Sequence, residues 1–526
     1  MVRAAGFYFW EEGKVFLPMG DCWAGLWPGF VPKIREGEPL PRDAERRCFD
    51  FLRSLLRRGL NAIRTFPAEW VTFPEAEPLD AVGKVNLALL RRWERFFRMA
   101  ERFGIRLLFV LLQPEVYVKP EWARKARRAY SERELKRLPP HRRRFLVEGR
   151  LLESVSHFFK DPDALKCQRD FLLDLLPRLR GAKAIFAYEL VNEVGGGERE
   201  WTRETASFVR RLDPGRPVGM SSWGEGLFSG DPVVWAREFG VDFVAYHDYP
   251  SRWHDHPATP ESDYGTDVAV AARYARLGGK PVVLGECGGN VKEFYGGDKL
   301  AHKLGGRDSF WGHIVGGGGG YFTWSGFLDE FLGRVLAGVE FGKFARRRRP
   351  LVGVDVSHPQ LVGHYFSLPE GRKLYLRMCR LARLCFRRGI DFDFSLGNED
   401  YEVTVKALDP DAERKIARLS SEVEVPRGYE AQFLCSEDSS AFLCYLRNVA
   451  GARPIPAKPV EEGHSPGYVR LRRPVDLTLR VNLPLRCGWL RICDLDSGRI
   501  IHVRFERGRG FALGRTEHDF VIVGAD

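Results

Sequence analysis

The stretch Ala184-Ile-Phe-Ala-Tyr-Glu-Leu-Val-Asn-Glu193 is an apolar run that ends in a carboxylate. A second run, Pro281-Val-Val-Leu-Gly-Glu286, is built in the same way. Short, nearly continuous apolar runs of this kind are typical of parallel strands that are buried on both faces. The two stretches therefore predict two parallel strands, each with a glutamate at its carboxyl end.

Runs of the same kind recur up to about residue 345, in alternation with amphipathic stretches. The six further runs are residues 15–20, 60–66, 105–112, 217–222, 241–247 and 320–324. This alternation is the signature of repeated βα units, and eight such units close into a barrel. The sequence therefore predicts an α/β fold, namely a (β/α)8 TIM barrel.

The stretches between the runs contain helix signals. Residues 43–58 and 85–103 carry apolar side chains at helical spacing, and Gly59 and Gly104 follow them as helix-ending residues. The connection at 117–180 is far longer than the others. Its basic insertion at 136–144 is expected to shape a cleft at the barrel mouth.

The pattern changes after the eighth run. A helix is predicted at 371–388, and alternating apolar and polar segments follow at 402–408, 441–446, 475–481 and 500–505. Such alternation predicts antiparallel strands with one buried face. We predict a barrel with closing helices in residues 1–390 and a small antiparallel all-β sandwich domain in residues 391–526. The sandwich is expected to shield the barrel, and it could also bind carbohydrate.

The chain has 526 residues and a net charge of +12, with its densest basic runs at Arg346-Arg-Arg-Arg349 and Arg142-Arg-Arg144. No nucleic-acid-binding module accompanies these runs. Cations in loops and at helix ends stay solvated and complement the helix carboxyl terminus. We therefore expect no nucleic-acid partner.

Ten cysteines are scattered along the chain without a Cys-x-x-Cys motif, which argues against a zinc ribbon or a dithiol redox site. Most are expected to be buried thiols. Arginine far outnumbers lysine, a balance compatible with a thermophilic source and with a GC-rich genome alike. In a hyperthermophile, Cys435 with Cys444 and Cys487 with Cys493 are disulfide candidates.

The amino-terminal residues lack the basic start and long apolar core of a secretion signal. No stretch of about 18 residues is apolar and uncharged, as a membrane span requires. A soluble, cytoplasmic protein without a membrane partner is the resulting expectation.

Residues at or just after the predicted strand ends are candidates for a site. In a parallel barrel all carboxyl ends open on one face, so residues far apart in sequence converge there. Two carboxylates on rigid strand ends are the arrangement that cleaves glycosidic bonds, since one donates a proton to the leaving oxygen while the other attacks. The candidates are Arg64, Asn192, Glu193, His247, Glu286 and Trp324.

Five motifs occur in barrel order between about residues 5 and 345. They are Asn61-Ala-Ile-Arg64, Asn192-Glu193, His247-Asp-Tyr249, Gly285-Glu286 and Trp324. In these motifs the chain resembles the retaining glycoside hydrolases of clan A, most nearly the cellulase and mannanase family (glycoside hydrolase family 5). One departure is Gln113-Pro-Glu115, where many members of that family carry a histidine. The departure leaves the identity of the sugar open.

The resemblance implies that Glu193 is the general acid/base and Glu286 the nucleophile. Arg64 and a hydrogen bond from Tyr249 would keep Glu286 ionised. Glu193 is expected in a drier setting, because the acid has to hold its proton until the glycosidic bond breaks.

The remaining candidates are implied to bind the substrate. Asn192 would donate to the sugar 2-hydroxyl, Trp324 would offer an aromatic face, and His247 would line the cleft. The resemblance implies cleavage of a β-linked oligosaccharide or polysaccharide without a metal or organic cofactor. We predict an exo-acting enzyme on imported oligosaccharides (β-mannoside, β-glucoside or β-galactoside), and an endo-acting mannanase or cellulase is the alternative.

Two other functions stay open on the sequence alone. Histidines 247, 254 and 256 with Asp248 and Asp255 offer a metal-ligand cluster, so a metal-dependent barrel hydrolase is one rival. It is the weaker reading, because metal sites in barrels draw ligands from several strand ends. A non-catalytic carbohydrate-binding protein is the other rival, and the presence of both glutamates argues against it.

Overall fold

The structure is a computed structural model. It describes residues 2–23, 43–65, 85, 87–112, 114, 152–193, 198–221, 227, 231–249, 264–288, 299–324, 331–357, 366, 369–397, 400–450 and 472–525. The chain divides into two compact units. The first comprises Met1–Arg3, Pro18–Ser221 and Glu238–Val244, and the second comprises Ala4–Leu17, Ser222–Arg237 and Ala245–Asp526. The predicted domain boundary at residue 390 stays a prediction.

Eight parallel strands form a closed barrel, which confirms the predicted fold class. Three short strands precede it as a separate sheet: β1 (Val2–Ala5), β2 (Tyr8–Glu11) and β3 (Lys14–Phe16). Each barrel strand neighbours the next one in the chain, as repeated βα units require. The barrel strands are β4 (Met19–Trp23), β5 (Ala62–Thr65), β6 (Arg106–Leu112), β7 (Ile185–Val191), β8 (Val218–Ser221), β9 (Phe243–Asp248), β10 (Val282–Cys287) and β11 (Gly320–Thr323).

The first barrel strand begins later than predicted. Val15, which the sequence analysis assigned to this strand, pairs with Trp10 in the antiparallel hairpin of β2 and β3. Pro18 separates the hairpin from β4, because a proline has no N–H to donate to a strand ladder. Gly20 then allows the close approach to β5, since a Cβ atom there would lie 1.7 Å from the carbonyl oxygen of Ala62.

The predicted helices at 43–58, 85–103 and 371–388 are present as α1, α2 and α10. Gly59 and Gly104 have φ values of +79° and +67° and end the first two of them, as predicted. Most of the long connection between β6 and β7, with its basic insertion, lies outside the described residues. The described helices are α1 (Ala44–Arg57), α2 (Leu87–Phe103), α3 (Val155–Phe158), α4 (Pro162–Leu179), α5 (Arg199–Leu212), α6 (Pro232–Glu238), α7 (Tyr264–Ala275), α8 (Lys299–Val315), α9 (Leu332–Leu336), α10 (Pro369–Arg388) and α11 (Ala412–Ala417).

None of the helices in the described ranges combines the length and the apolar character of a bilayer-spanning segment.

A small parallel sheet lies in sequence between the barrel and the sandwich. Its strands are β12 (Val352–Asp355), β13 (Phe392–Ser395) and β14 (Val403–Lys406), with β12 in the centre. The segment at 402–408, predicted as a strand of the antiparallel sandwich, thus forms a strand of a different sheet. Helix α10 connects β12 to β13, and a helical crossover returns the chain in the parallel direction.

The carboxyl-terminal segment forms two antiparallel sheets, as predicted. One has the order β15-β18-β21 and the other β16-β17-β22-β19-β20. Leu477 and Leu479 of the first sheet and Phe442 and Ile492 of the second belong to one buried core, which is the packing of a sandwich. The strands are β15 (Val423–Glu424), β16 (Tyr429–Cys435), β17 (Phe442–Asn448), β18 (Val475–Val481), β19 (Trp489–Asp494), β20 (Ile500–Arg504), β21 (Gly510–Thr516) and β22 (Phe520–Ala525).

All ten cysteines are free and all but Cys167 are buried, as expected for structural thiols. The two disulfide candidates are therefore wrong. Cys435 lies opposite Phe442 and Cys444 lies opposite Phe433 in the β16–β17 ladder. Such diagonal neighbours are about 7–8 Å apart, which is too far for a disulfide.

Candidate active site

Arg64 lies in a buried polar cluster of the first unit. Its side chain is fully buried on β5 and forms a bidentate ion pair with Glu189 of β7, with Nε–Oε2 at 2.8 Å and Nη2–Oε1 at 2.5 Å. Its Nη2 also donates to Oδ1 of Asn192 at 2.8 Å. Because arginine offers donors only, this contact fixes the Asn192 amide with its oxygen towards Arg64. The amide NH2 group is then the part of Asn192 available to donate to a ligand.

Glu189 is not among the residues predicted from the sequence, although the sequence contains a signal for it. Glu189 is a charged residue inside the fully buried strand Ile185–Val191. A carboxylate at such a position needs a cationic partner, because an unpaired charge is costly to bury. The described contacts of Arg64 go to Glu189 and Asn192, and its predicted effect on Glu286 stays a prediction.

Glu193 follows β7 with a backbone conformation that is rare for its residue type. Its φ is +56°, in the left-handed region that costs a non-glycine residue about 1–2 kcal/mol. The Glu193 N–H donates to Oγ of Ser221 at 3.0 Å, and Ser221 is the buried last residue of β8. Strained backbone held in this way clusters at functional sites.

Glu286 lies in β10 with two polar side chains at one of its oxygens. Tyr249 donates to Oε2 of Glu286 at 2.5 Å, which is the contact predicted from the sequence. Nδ1 of His247 lies 3.6 Å from the same oxygen. A hydrogen bond donated to a carboxylate favours its ionised form. The site thus presents a fixed carboxylate with a phenol and an imidazole beside it.

The two glutamates differ in exposure. Glu286 is buried, with 4% of its surface exposed, whereas Glu193 is partly exposed. The sequence predicts Glu193 in the drier setting, but in the structure Glu286 is the more buried of the two glutamates. Glu193 lies two residues beyond the end of β7, whereas Glu286 lies inside β10. Glu193 is therefore closer to solvent.

The close packing around position 285 explains why a glycine precedes Glu286. A Cβ atom at this position would lie 3.1 Å from Nε2 of His247 and 3.2 Å from Cβ of Ala245. Such contacts are tight, so any side chain would press on the imidazole beside Glu286. The Gly-Glu motif therefore reflects the packing of His247.

Trp324 directly follows β11. Its N–H donates to the carbonyl oxygen of Cys287 at 3.0 Å, which extends the pairing of β10 with β11 past Glu286. Trp324 is partly exposed. It therefore stands at the end of the strand beside that of Glu286, where the sequence analysis predicted it.

Comparisons with known proteins find distant relatives. No protein-family model matches the chain. The chain is 28% identical over 190 residues to a protein of Oryza sativa subsp. japonica named, by inference, mannan endo-1,4-β-mannosidase 5, a match that covers 28% of this chain and 38% of the relative. It is 26% identical over 163 residues to a protein of Aspergillus terreus (strain NIH 2624 / FGSC A1156), named by inference mannan endo-1,4-β-mannosidase C, with 25% and 38% covered. Over these stretches the chain is similar to mannan-cleaving glycoside hydrolases. The matches span less than half the length of these two relatives.

One solved structure shows the same fold as this chain. The exo-β-1,4-mannosidase Op5Man5 from Opitutaceae bacterium strain TAV5 superposes with a TM-score of 0.51 and 17% identity. The match covers 77% of this chain and 75% of that chain. At this identity the likeness concerns the fold alone.

Three residues of the metal-ligand cluster predicted from the sequence lie outside the described residues. They are His254, Asp255 and His256, and the same holds for Glu115 and Trp223, which follow predicted strands.

A second group of possible metal ligands belongs to the sandwich segment. Ligand atoms of Asp494, Asp496 and His518 lie within 4.8 Å of one another. Asp496 is already paired with Arg472 at 2.6 Å and with Arg307 at 3.0 Å. Because these cations neutralise the carboxylate, the group is better explained as an ion-pair network than as a metal site.

Proposed function

We propose that the chain is a retaining β-glycoside hydrolase with Glu286 as the nucleophile and Glu193 as the general acid/base. The observation that carries the proposal is the setting of Glu286, a buried carboxylate in a barrel strand that accepts a hydrogen bond from Tyr249. Glu193 follows another strand of the closed barrel at its carboxyl end. Carboxyl ends of such strands open on one face, where catalytic residues of parallel barrels lie.

In the first step Glu286 attacks the anomeric carbon while Glu193 gives its proton to the leaving oxygen, and a covalent glycosyl-enzyme forms. In the second step Glu193 takes a proton from water, which attacks the same carbon and releases Glu286. Asn192 donates its NH2 group to the sugar 2-hydroxyl, because Arg64 occupies the amide oxygen. This contact strengthens in the oxocarbenium-like transition state.

The proposed substrates are β-linked mannosides. Both sequence relatives are named as mannan-cleaving enzymes, and the fold relative is an exo-β-1,4-mannosidase. We propose exo-action on oligosaccharides, with β-glucosides and β-galactosides as the other candidate sugars. An enzyme of imported oligosaccharides would work in the cytoplasm, where cell fractionation would find it. Endo-action on a polysaccharide is the second candidate, favoured by the names of the two sequence relatives.

The test of this proposal is a panel of aryl β-glycosides (mannoside, glucoside, galactoside) measured beside β-mannan and cellulose. Turnover of the aryl β-mannoside with release of single mannose units from oligosaccharide ends is the expected result. Shortening of the polymer without single sugars would favour endo-action. No activity on any member of the panel would contradict the proposed function.

Replacing Ser221 by alanine tests how Glu193 is positioned. Ser221→Ala removes the acceptor of the Glu193 N–H, a hydrogen bond that contributes about 1 kcal/mol. We expect kcat for a substrate with a poor leaving group to fall about tenfold, because the acid moves out of line. KM and the turnover of an activated aryl glycoside should change less than about threefold, since the latter needs little acid assistance.

The matched control is Ser207→Ala, which truncates an exposed serine of α5 in the same unit. It should leave kcat unchanged for both substrates. An equal loss of kcat on both substrates in Ser221→Ala would contradict a positioning role towards the acid.

A further inference from the structure

A cavity of about 600 Å³ in the second unit is lined by an unusual number of cations. Its acidic lining residues are Asp393 and Glu437, and its aromatic ones include Phe7 and Tyr401. The cations are Arg273, Arg276, Arg346, Arg347, Arg348 and Arg349. The four-arginine run of the sequence thus forms one wall of this cavity, although the sequence analysis expected only solvated side chains.

Three of the six arginines have structural partners. Arg347 binds Asp391 at 2.5 Å and Asp393 at 2.7 Å. Arg273 binds Asp391 at 3.1 Å, and Arg348 pairs with Glu422. The two contacts of Arg347 hold the segment before β12 against the start of β13.

The other three arginines have no carboxylate within ion-pair distance among the described residues. Arg276 donates to the carbonyl oxygen of Gly317 at 3.1 Å and lies 4.0 Å from the ring centre of Phe7. Burial, and after it the charge of Arg347, lowers the pKa of Arg276. Arg349 lies 5.1 Å from the ring centre of Tyr401. Arg346 and Arg349 are exposed.

The charges around the cavity do not balance. Six guanidinium groups line it, and the carboxylates that line it or pair with them are Asp391, Asp393, Glu422 and Glu437. Six minus four leaves two positive charges in excess. The Nε groups of Arg273, Arg347 and Arg348 also lack a hydrogen-bond acceptor among the described residues. Around this cavity the arginine N–H groups outnumber their acceptors in the described residues, and the arginines outnumber the carboxylates.

We propose that this cavity binds the dianionic phosphate group of a small soluble molecule. A planar guanidinium presents paired N–H donors that match a phosphate, and an aromatic ring against its face leaves that edge available. Arg276, Arg346 and Arg349 are the residues that would bind the anion. A charge of about two on the ligand would cancel the excess.

The cavity is separate from the proposed catalytic residues. Arg276 and Gly279 line it and precede β10, whereas Glu286 lies near the other end of that strand. The seven residue steps from Gly279 to Glu286 span roughly 23 Å in an extended chain. The phosphate site therefore does not depend on the proposed hydrolysis, and its test needs no glycoside.

The experiment is calorimetric titration of the full chain with inorganic phosphate and with pyrophosphate, at an ionic strength held constant with chloride. We expect saturable binding of one anion per chain. In Arg346→Ala/Arg349→Ala the affinity should fall about tenfold or more, because each arginine gives a charge-assisted hydrogen bond. The variant should stay folded, since neither side chain has an ion pair in the described structure, and thermal unfolding checks this.

The matched control is Arg486→Ala/Arg504→Ala, which removes the same charge from exposed positions of the same unit outside the cavity. Its affinity for both anions should stay within about twofold of the wild type. Equal losses in the two double variants would mean general attraction of anions and would overturn the proposal. Binding that does not saturate would also overturn it. If the double variant unfolds, Arg346→Gln takes its place with the same criteria.

Discussion

Glu286→Gln is expected to lower kcat for an aryl β-mannoside on the order of 10⁴-fold or more. The glutamine amide cannot form the covalent glycosyl-enzyme, so both steps of the proposed double displacement lose their route. The amide still fits the space of the carboxylate and can accept the hydrogen bond from Tyr249. The free energy of unfolding should therefore change by only about 1 kcal/mol. Initial rates and urea unfolding of the same preparation measure the two quantities.

One control variant and one further active-site variant accompany this prediction. Glu437→Gln changes an exposed glutamate of the same unit and should keep the wild-type kcat. Glu193→Gln should slow substrates with poor leaving groups far more than activated aryl glycosides, because only the former need the proton. A Glu286→Gln variant that keeps even a tenth of the wild-type kcat would contradict its assignment as the nucleophile.

Glu189→Ala is expected to destabilise the first unit by about 3–5 kcal/mol. Glu189 and Arg64 are both fully buried, and their bidentate ion pair has bond lengths of 2.8 and 2.5 Å. Removing the carboxylate leaves the guanidinium charge buried and two of its five N–H donors unmet. This is the costly way to break such a pair. Urea unfolding followed by tryptophan fluorescence measures the loss.

The control for this prediction is an exposed ion pair of the same unit. Arg169 and Glu204 lie 3.4 Å apart with 62% and 71% of their side chains exposed. Glu204→Ala should cost less than about 1 kcal/mol, because water screens both charges. Similar losses for the two variants would show that burial does not decide the strength of the Arg64–Glu189 pair. Loss of Glu189 should also lower kcat, since Arg64 then no longer holds the Asn192 amide in one orientation.

The barrel could be predicted from the sequence because its signal is local. Each strand is a short apolar run, and the alternation with amphipathic stretches repeats eight times, so the closed parallel sheet follows without knowledge of any contact. The strand ends located Glu286, and the resemblance to a known family added Tyr249, which the structure joins to Glu286 by a hydrogen bond. Residues at strand ends meet whatever their distance along the chain, since a parallel barrel turns all of these ends to one face.

Other features depend on pairings that periodicity does not encode. The segment at 402–408 has the alternation of a strand, but its partner is β12 in a parallel sheet. The first barrel strand starts at Met19, because the residues before it pair with β2. A strand signal states that a segment is extended, and only its neighbours in space decide which sheet it joins.

By itself the sequence determined the barrel, the antiparallel sheets after it and the strand ends that carry the candidate catalytic glutamates. Only the tertiary structure decided that Arg64 binds Glu189, that Ser221 holds Glu193 in a left-handed conformation, and that the run 346–349 joins Arg276 around a cavity. The physical reason is the distance along the chain over which each kind of interaction acts. Hydrophobic periodicity acts over a few residues and is written in the chain, whereas the partner of a buried charge is set by packing between segments far apart in sequence.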